Sequence, residues 1–364
     1  MSELQIIKGI MVAIKLKRLS VLFFFVLLIC YEQAGLSQAS YSVATYKNNV
    51  LTEWESLRFG AFVHFNDNTF IEQEISRNSD PNIFNPRSIN FDDMMAVFQK
   101  AGIRYAVLTA RHTSGFCLWD SKVTTFDVKS SPYRNDIVKL FVGACRKYNI
   151  KPCLYYCLWG NKDWNPAEWN PIIRKELQSV TPKSVIVEQL RELSENYGNI
   201  FEFWLDMQCW ADTTLTPQEV YDVLKRRNPK TIVHFNQQVQ DGTRIKYFPT
   251  DITNGEERVP PVTGHKSITT IIGTSYYLPF EYEITSQRCD QRSLGNGLMK
   301  GSVWFTYHDS HFYSVDSLYH YIKKCYERGG SNVLLSTAPD KSGAYKKADA
   351  DSIIKLGKLI RGYR

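Results

Sequence analysis

The sequence predicts a (β/α)8 barrel of the TIM type. Short apolar or aromatic runs alternate with amphipathic helical runs over about residues 41–364, and the links between them are short. The rival architecture is a doubly wound open sheet. It is disfavoured because no glycine-rich phosphate loop follows the first strong strand, Phe59-Gly60-Ala61-Phe62-Val63-His64-Phe65.

The elements follow in order. Residues 91–101 read as a helix with Met94, Met95, Val97 and Phe98 on its apolar face, and residues 105–109 as the second strand. A helix over 137–148 leads to a strand over 152–158. A helix over 184–196, with Val185, Val187, Leu190 and Leu193 inward, leads to a strand over 201–206. Pro217 opens a helix that runs to Arg227, and residues 231–235 form the fifth strand. Beyond that the periodicity weakens, and 245–252, 275–284 and 302–307 are candidate strands. A helix over 315–328, a buried strand over 332–336 and a helix over 349–361 close the pattern. No internal repeat or low-complexity linker divides it.

The chain has 364 residues, 43% of them hydrophobic and 13% aromatic, which is ample for one large core. Lys15-Leu16-Lys17-Arg18 precedes the apolar run of residues 21–29, and Ser37-Gln38-Ala39 fits a small-x-small cleavage site. Residues 1–39 therefore read as a secretory signal cut after Ala39, with Ala34 a second option, and residues 40–364 as the exported domain. The expected location is periplasmic or extracellular. The apolar run is short for a membrane span, so no stable span is expected once the signal is removed. Ile29 before Cys30 does not suit lipidation. Residues 1–39 hold four bases (Lys8, Lys15, Lys17, Arg18) and two acids (Glu3, Glu32), so the net charge of +7 falls to +5 without them. No dense basic run remains, and nucleic acid is not implied. Seven cysteines follow Ala39, an odd number without the spacing of a disulfide framework. Most read as small buried hydrophobes, and no Cys/His grouping has zinc spacing, so neither metal nor cofactor is expected.

Phe201-Glu202-Phe203-Trp204-Leu205-Asp206 is an aromatic strand that runs into one carboxylate. In a parallel barrel, the end of a strand is the face where chemistry happens. An acid there, between Trp204 and Trp210, is placed to meet a sugar ring, because indole faces stack on sugar C–H faces and carboxylates perform glycoside chemistry. Other candidates sit at strand ends: His64, Arg111-His112, Tyr156, Trp159, Asn236, Glu256-Glu257, Glu281, Glu283 and Trp304. Singly each reads as an ordinary core or loop residue. Their recurrence at one barrel end argues for a site.

These runs resemble glycoside hydrolase family 29, the α-L-fucosidases. The resemblance rests on the first strand; on Ala101-Gly102-Ile103-Arg104-Tyr105-Ala106-Val107-Leu108-Thr109-Ala110-Arg111-His112; and on Gly115-Phe116-Cys117-Leu118-Trp119-Asp120-Ser121. It continues through Gln189-Leu190-Arg191-Glu192-Leu193, Phe203-Trp204-Leu205-Asp206, Asn254-Gly255-Glu256, Leu278-Pro279-Phe280-Glu281 and the closing run 329–336. The resemblance implies a retaining glycosidase acting on terminal α-L-fucosides of a fucosylated glycan, with Asp206 as nucleophile. His64, His112, Trp119, Tyr156, Trp204 and Trp304 are then expected at the sugar. The acid/base is left between Glu256, on a loop that reaches the pocket mouth, and Glu281, on a drier aromatic strand. Three departures are visible: Thr113 and Ser114 stand where the family usually has histidine and aspartate, Phe65 stands for a tryptophan, and no C-terminal β-sandwich is evident. These leave two alternatives open, a related glycosidase for another sugar such as an α-L-galactoside, and a glycan-binding barrel with weakened catalysis. Oligomeric state is not legible.

Overall fold

A computed structural model describes residues 40–76, 80–87, 89–160, 181–290 and 301–363. The proposed signal, its cleavage site and Cys30 lie outside these residues. Eight parallel strands form the central sheet: β1 (Phe59–Val63), β2 (Tyr105–Arg111), β3 (Lys151–Cys157), β4 (Glu202–Asp206), β5 (Ile232–Phe235), β6 (Thr253–Glu256), β7 (Phe280–Thr285) and β8 (Asn332–Thr337). Their order around the sheet is β5-β4-β3-β2-β1-β8-β7-β6. That is the cyclic order of a barrel with one seam, between β5 and β6.

Side chains seal the seam. Asp251 donates its backbone N–H to Val233 O at 2.9 Å, and its carboxylate accepts the Val233 N–H at 2.8 Å. The Thr250 hydroxyl accepts the Phe235 N–H, and Asn254 Oδ1 accepts the Gln237 N–H. Asp251 is itself held by Lys225 at 2.7 Å and by the Tyr221 hydroxyl at 2.6 Å. The expected strand over 245–252 is absent, and β6 follows it instead. The physical reason is that Thr253-Asn254-Gly255-Glu256 carries polar side chains at a buried strand and so lacks an apolar signature. Residues 275–284 divide between a hairpin, Ile268–Ile271 with Thr274–Tyr277, and the start of β7. Only Ser302–Val303 of the expected strand 302–307 is extended in a sheet.

The helices carry the stop and start signals their sequence requires. Among the described residues they are α1 (Asn49–Leu57), α2 (Asp67–Ile71), α3 (Phe91–Ala101), α4 (Ile137–Lys147), α5 (Lys183–Asn196), α6 (Pro217–Arg227), α7 (Val315–Glu327) and α8 (Lys347–Gly362). Asn90 caps α3 by accepting from the N–H groups of Asp92 and Asp93, and Gly102 ends it at φ +78°. Thr216 and Glu219 form a capping box on α6. Residues from Ser42 onward form one compact unit. Its interior holds Phe62, Tyr105, Val107, Cys153, Tyr155, Trp204 and Leu334. Gly60 lets Tyr105 cross the barrel axis, since a Cβ there would lie 2.4 Å from the phenol ring. Six of the seven described cysteines are buried and all are free thiols, as the sequence suggests; Cys209 is exposed.

Candidate active site

A cavity of about 250 Å³ opens at the C-terminal ends of the strands. Phe62, His64, His112, Tyr155, Trp204, Asp206, Asn236, Glu256 and Trp304 line it, with Glu74, Ile75, Thr113, Met207 and Ser302. The fold brings the ends of six strands, β1 to β6, to one cavity, as a parallel barrel does.

Asp206 ends β4 and accepts four hydrogen bonds. Tyr155 donates its hydroxyl at 2.8 Å, Asn236 its amide at 2.9 Å, Met207 its backbone N–H at 2.7 Å and Gln238 its amide at 3.1 Å. Burial raises its pKa, and these donors oppose the rise. Glu256 ends β6. The Asn236 amide also reaches it, at 3.0 Å, so one nitrogen joins the two carboxylates. The bonded oxygens are therefore no farther apart than the sum of those contacts, 5.9 Å. Burial first, and then the Asp206 charge, push Glu256 up to about 7. A tight turn presents it: a Cβ on Gly255 would meet Arg258 O at 1.9 Å, and Glu257 takes φ +50°.

The histidines form a neutral wall. His64 is held at Nδ1 by Ser336 Oγ at 2.9 Å and lies against Phe62 and Trp304. Burial holds its pKa well below the usual imidazole range. His112 stacks on Tyr155 at 5.3 Å, and burial lowers it to about 3. Neutral imidazoles both donate and accept, which suits hydroxyl groups. Trp204 also stacks on Tyr155, at 5.5 Å.

Three expected site residues lie elsewhere. Tyr156 points away from the barrel axis and donates its hydroxyl to Gln189 on α5 at 2.7 Å. Its neighbour Tyr155 takes the inward position, as the two-residue period of a strand requires. Trp119 is a core residue, 1% exposed, whose indole N–H binds Glu192 at 2.8 Å. Glu281 lies deeper in the barrel than the cavity and outside its lining. It accepts the Tyr105 hydroxyl at 2.6 Å and faces His234 Nδ1 at 3.7 Å. The dryness expected of Glu281 is real, for burial raises it to about 8, but the same burial removes it from the cavity. His64, His112, Trp204, Trp304, Asp206 and Glu256 are brought together.

Glu202, His234 and Glu281 offer ligand atoms within 4.8 Å of one another and are the one metal-compatible grouping among the described residues. Trp54 donates to Glu202 at 3.0 Å and Tyr105 to Glu281, so protein donors already serve both carboxyls.

Of the departures from the family pattern, only Thr113 lines the cavity. Its hydroxyl accepts the Ser76 N–H at 3.2 Å and lies 3.3 Å from His112 Nδ1. Ser114 donates to buried Asp67 at 2.9 Å, and Phe65 packs against Phe70 and Phe84. Sequence reasoning missed Glu74, which accepts the Trp304 N–H at 3.1 Å and is pushed by burial to about 7. It sits in a loop after β1, where no strand end marks it.

The sequence profile of the alpha-L-fucosidase family matches residues 41–363. The chain belongs to that family. It is 32% identical over 161 residues to alpha-L-fucosidase 1 of Arabidopsis thaliana, across 42% of this chain and 29% of the plant protein. It is 36% identical over 77 residues to the tissue alpha-L-fucosidase of Rattus norvegicus, across 21% of this chain and 17% of the rat protein. The alignments thus span under a third of these curated relatives. Among solved structures, a glycoside hydrolase 29 family member from an unknown rumen bacterium superposes with a TM-score of 0.66 at 22% identity, over 88% of this chain and 58% of that one. A putative alpha-L-fucosidase from Bacteroides thetaiotaomicron gives 0.67 at 23%, over 87% and 68%. These likenesses fix the barrel fold.

Proposed function

We propose that this chain hydrolyses terminal α-L-fucosides of glycans with retention of configuration. The observation that carries the reading is the Asp206–Glu256 pair, joined through the Asn236 amide at the mouth of a barrel. Retaining glycosidases hold their two carboxyls roughly 5–5.5 Å apart, and two carboxylate oxygens that share one amide nitrogen, and so lie within 5.9 Å of each other, are compatible with that spacing. Asp206, with four donors, is the better-stabilised anion and attacks the anomeric carbon. Glu256, held to about 7, keeps a proton near neutral pH. It protonates the departing glycosidic oxygen, then takes a proton from the water that releases the sugar. The neutral histidines accept and donate at sugar hydroxyls. Fucose is a 6-deoxy sugar, and the apolar lining of Phe62, Ile75, Trp204, Met207 and Trp304 suits a methyl corner. No step requires a cofactor.

Export follows from the basic, apolar and small-residue order of residues 1–39, and N-terminal sequencing of the secreted protein checks it. A panel of 4-nitrophenyl glycosides tests the activity. The α-L-fucoside is expected to turn over fastest, and Asp206→Ala is expected to lower that rate by several orders of magnitude while the protein still folds. Faster turnover of an α-L-galactoside would move the reading to the related sugar. No turnover of any glycoside would move it to glycan binding.

A further inference from the structure

The Asn236 amide has a fixed orientation, and the fixing extends one residue deeper. Asn236 Oδ1 accepts the Gln238 N–H at 2.9 Å. A backbone N–H can only donate, so this contact identifies the oxygen side of the amide and turns the nitrogen toward Asp206 and Glu256. The same reasoning applies to Asn254 on β6. Its Oδ1 accepts the Gln237 N–H at 2.9 Å. Its Nδ2 must therefore face Asn236 Oδ1 at 3.0 Å and Glu283 Oε2 at 3.0 Å. Asn254 is 1% exposed and Glu283 fully buried, and neither lines the cavity.

We propose that Asn254 is a positioning residue of the glycosidase: it locks the Asn236 amide so that one N–H goes to the nucleophile Asp206 and the other to the acid/base Glu256. The inference rests on the functional reading above. Without Asn254 the Asn236 oxygen keeps only the Gln238 N–H as donor, which weakens the hold against the flipped orientation, in which that oxygen confronts two carboxylates. Asp206 keeps Tyr155, Met207 and Gln238 as donors in that orientation, whereas Glu256 loses its side-chain donor. The lock therefore acts mainly on Glu256. The charged or titratable groups that face Glu256 are Asp206 from β4, Glu283 from β7 and Glu257 beside it on its own segment. Burial holds Glu283 well above the usual carboxylate range, so the chain of amides ends on a neutral acid that accepts from Asn254 without placing another charge beneath Glu256.

The test is a double-mutant cycle with two versions of the deeper change. Asn254→Ala removes the lock. Asn254→Asp keeps the volume and the acceptor for Gln237 but sets an acceptor against Asn236 Oδ1, which opposes the orientation that the Gln238 N–H favours. Each is made alone and on Asn236→Ala, with melting temperatures to establish folding. Two readouts are taken: kcat and KM on 4-nitrophenyl α-L-fucoside, and the pH midpoint of carbodiimide labelling at Glu256 followed by mass spectrometry. Asn254→Ala is expected to lower kcat about tenfold or more with little change in KM, and to cost nothing further on Asn236→Ala. The labelling midpoint of Glu256 is expected to rise in both Asn254 variants, because a donor to the carboxylate is lost. Independent losses in the two backgrounds, or folded Asn254 variants with kcat within about twofold of wild type, overturn the proposal. If the wild type does not cleave the fucoside, the functional reading fails separately. The midpoint at Glu256 still decides the lock, and an unchanged value contradicts it.

Discussion

Tyr155 and Tyr156 stand side by side on β3 and do opposite work. The hydroxyl of Tyr155 donates to Asp206 inside the barrel, and that of Tyr156 donates to Gln189 on the outer helix α5. Tyr155→Phe removes one of the four donors to a buried carboxylate, and a hydrogen bond to a charged group contributes about 1.5–3 kcal/mol. The expected outcome is a fall in kcat/KM of roughly ten- to a hundredfold at an unchanged fold. Tyr156→Phe removes the donor to the Gln189 amide oxygen in the core, while the amide nitrogen keeps Cys117 and Ser121. It is expected to cost about 1 kcal/mol of stability in urea unfolding and to leave kcat alone. The sequence could not separate the pair, because both residues are tyrosines on a strand buried on both faces and no polar alternation marks the inward side. Asp206 was legible for the opposite reason: a single acid ends a run of aromatics, and little but a site or a cap explains it.

At the scale of elements, the barrel is open to reading from β1 to β5 and again from α7 to α8, and the stretch through β6 and β7 is not. Every strand and helix expected from β1 to β5 matches its range within a residue or two, since each such strand is apolar and each such helix has a periodic face; the short α2 is not among the expected elements. After β5, side chains inside the barrel become polar. Asn254, Glu256, Glu281 and Glu283 occupy β6 and β7, and hydrophobic periodicity carries no signal there. The seam beside β6 makes a prediction of its own. Asp251 joins Val233 of β5 to Lys225 and Tyr221 of α6, and its ion pair with Lys225 is buried, at 9% and 8% side-chain exposure. Asp251→Ala leaves that ammonium uncompensated in the interior and opens the seam. A loss of about 3–5 kcal/mol is expected, read as a lowered urea midpoint. An unchanged midpoint would mean that Val233 is held by its other neighbours.

Taken as a whole, the molecule keeps an unusual number of acids in its interior, and this sets its response to pH. Burial raises Glu202 and Glu281 to about 8, and Glu256 and Glu74 to about 7. Their unfolded values are near 4.5, so the folded state binds more protons between the two limits, and stability falls as pH rises through that window. The buried histidines act in the opposite sense. His64, His112 and His234 are depressed, so the unfolded chain binds more protons below about 6.5, and stability falls on acidification. The two sets oppose each other up to about pH 6.5, and above it only the carboxyls act. The melting temperature is expected to drop as pH is raised from about 6.5 to about 8.5. A flat or rising profile over that interval would show that these acids are ionised in the fold. The same raised pKa at Glu256 is what the proposed chemistry uses, and the most direct measurement of that chemistry is chemical rescue of Glu256→Ala. Loss of the acid should slow fucosides with poor leaving groups far more than activated aryl fucosides. Added azide should then restore turnover of an aryl fucoside and yield fucosyl azide of the α configuration, the one the substrate had. Fucosyl azide of the β configuration, or no rescue by azide with poor and good leaving groups slowed alike, would contradict Glu256 as the acid/base opposite Asp206.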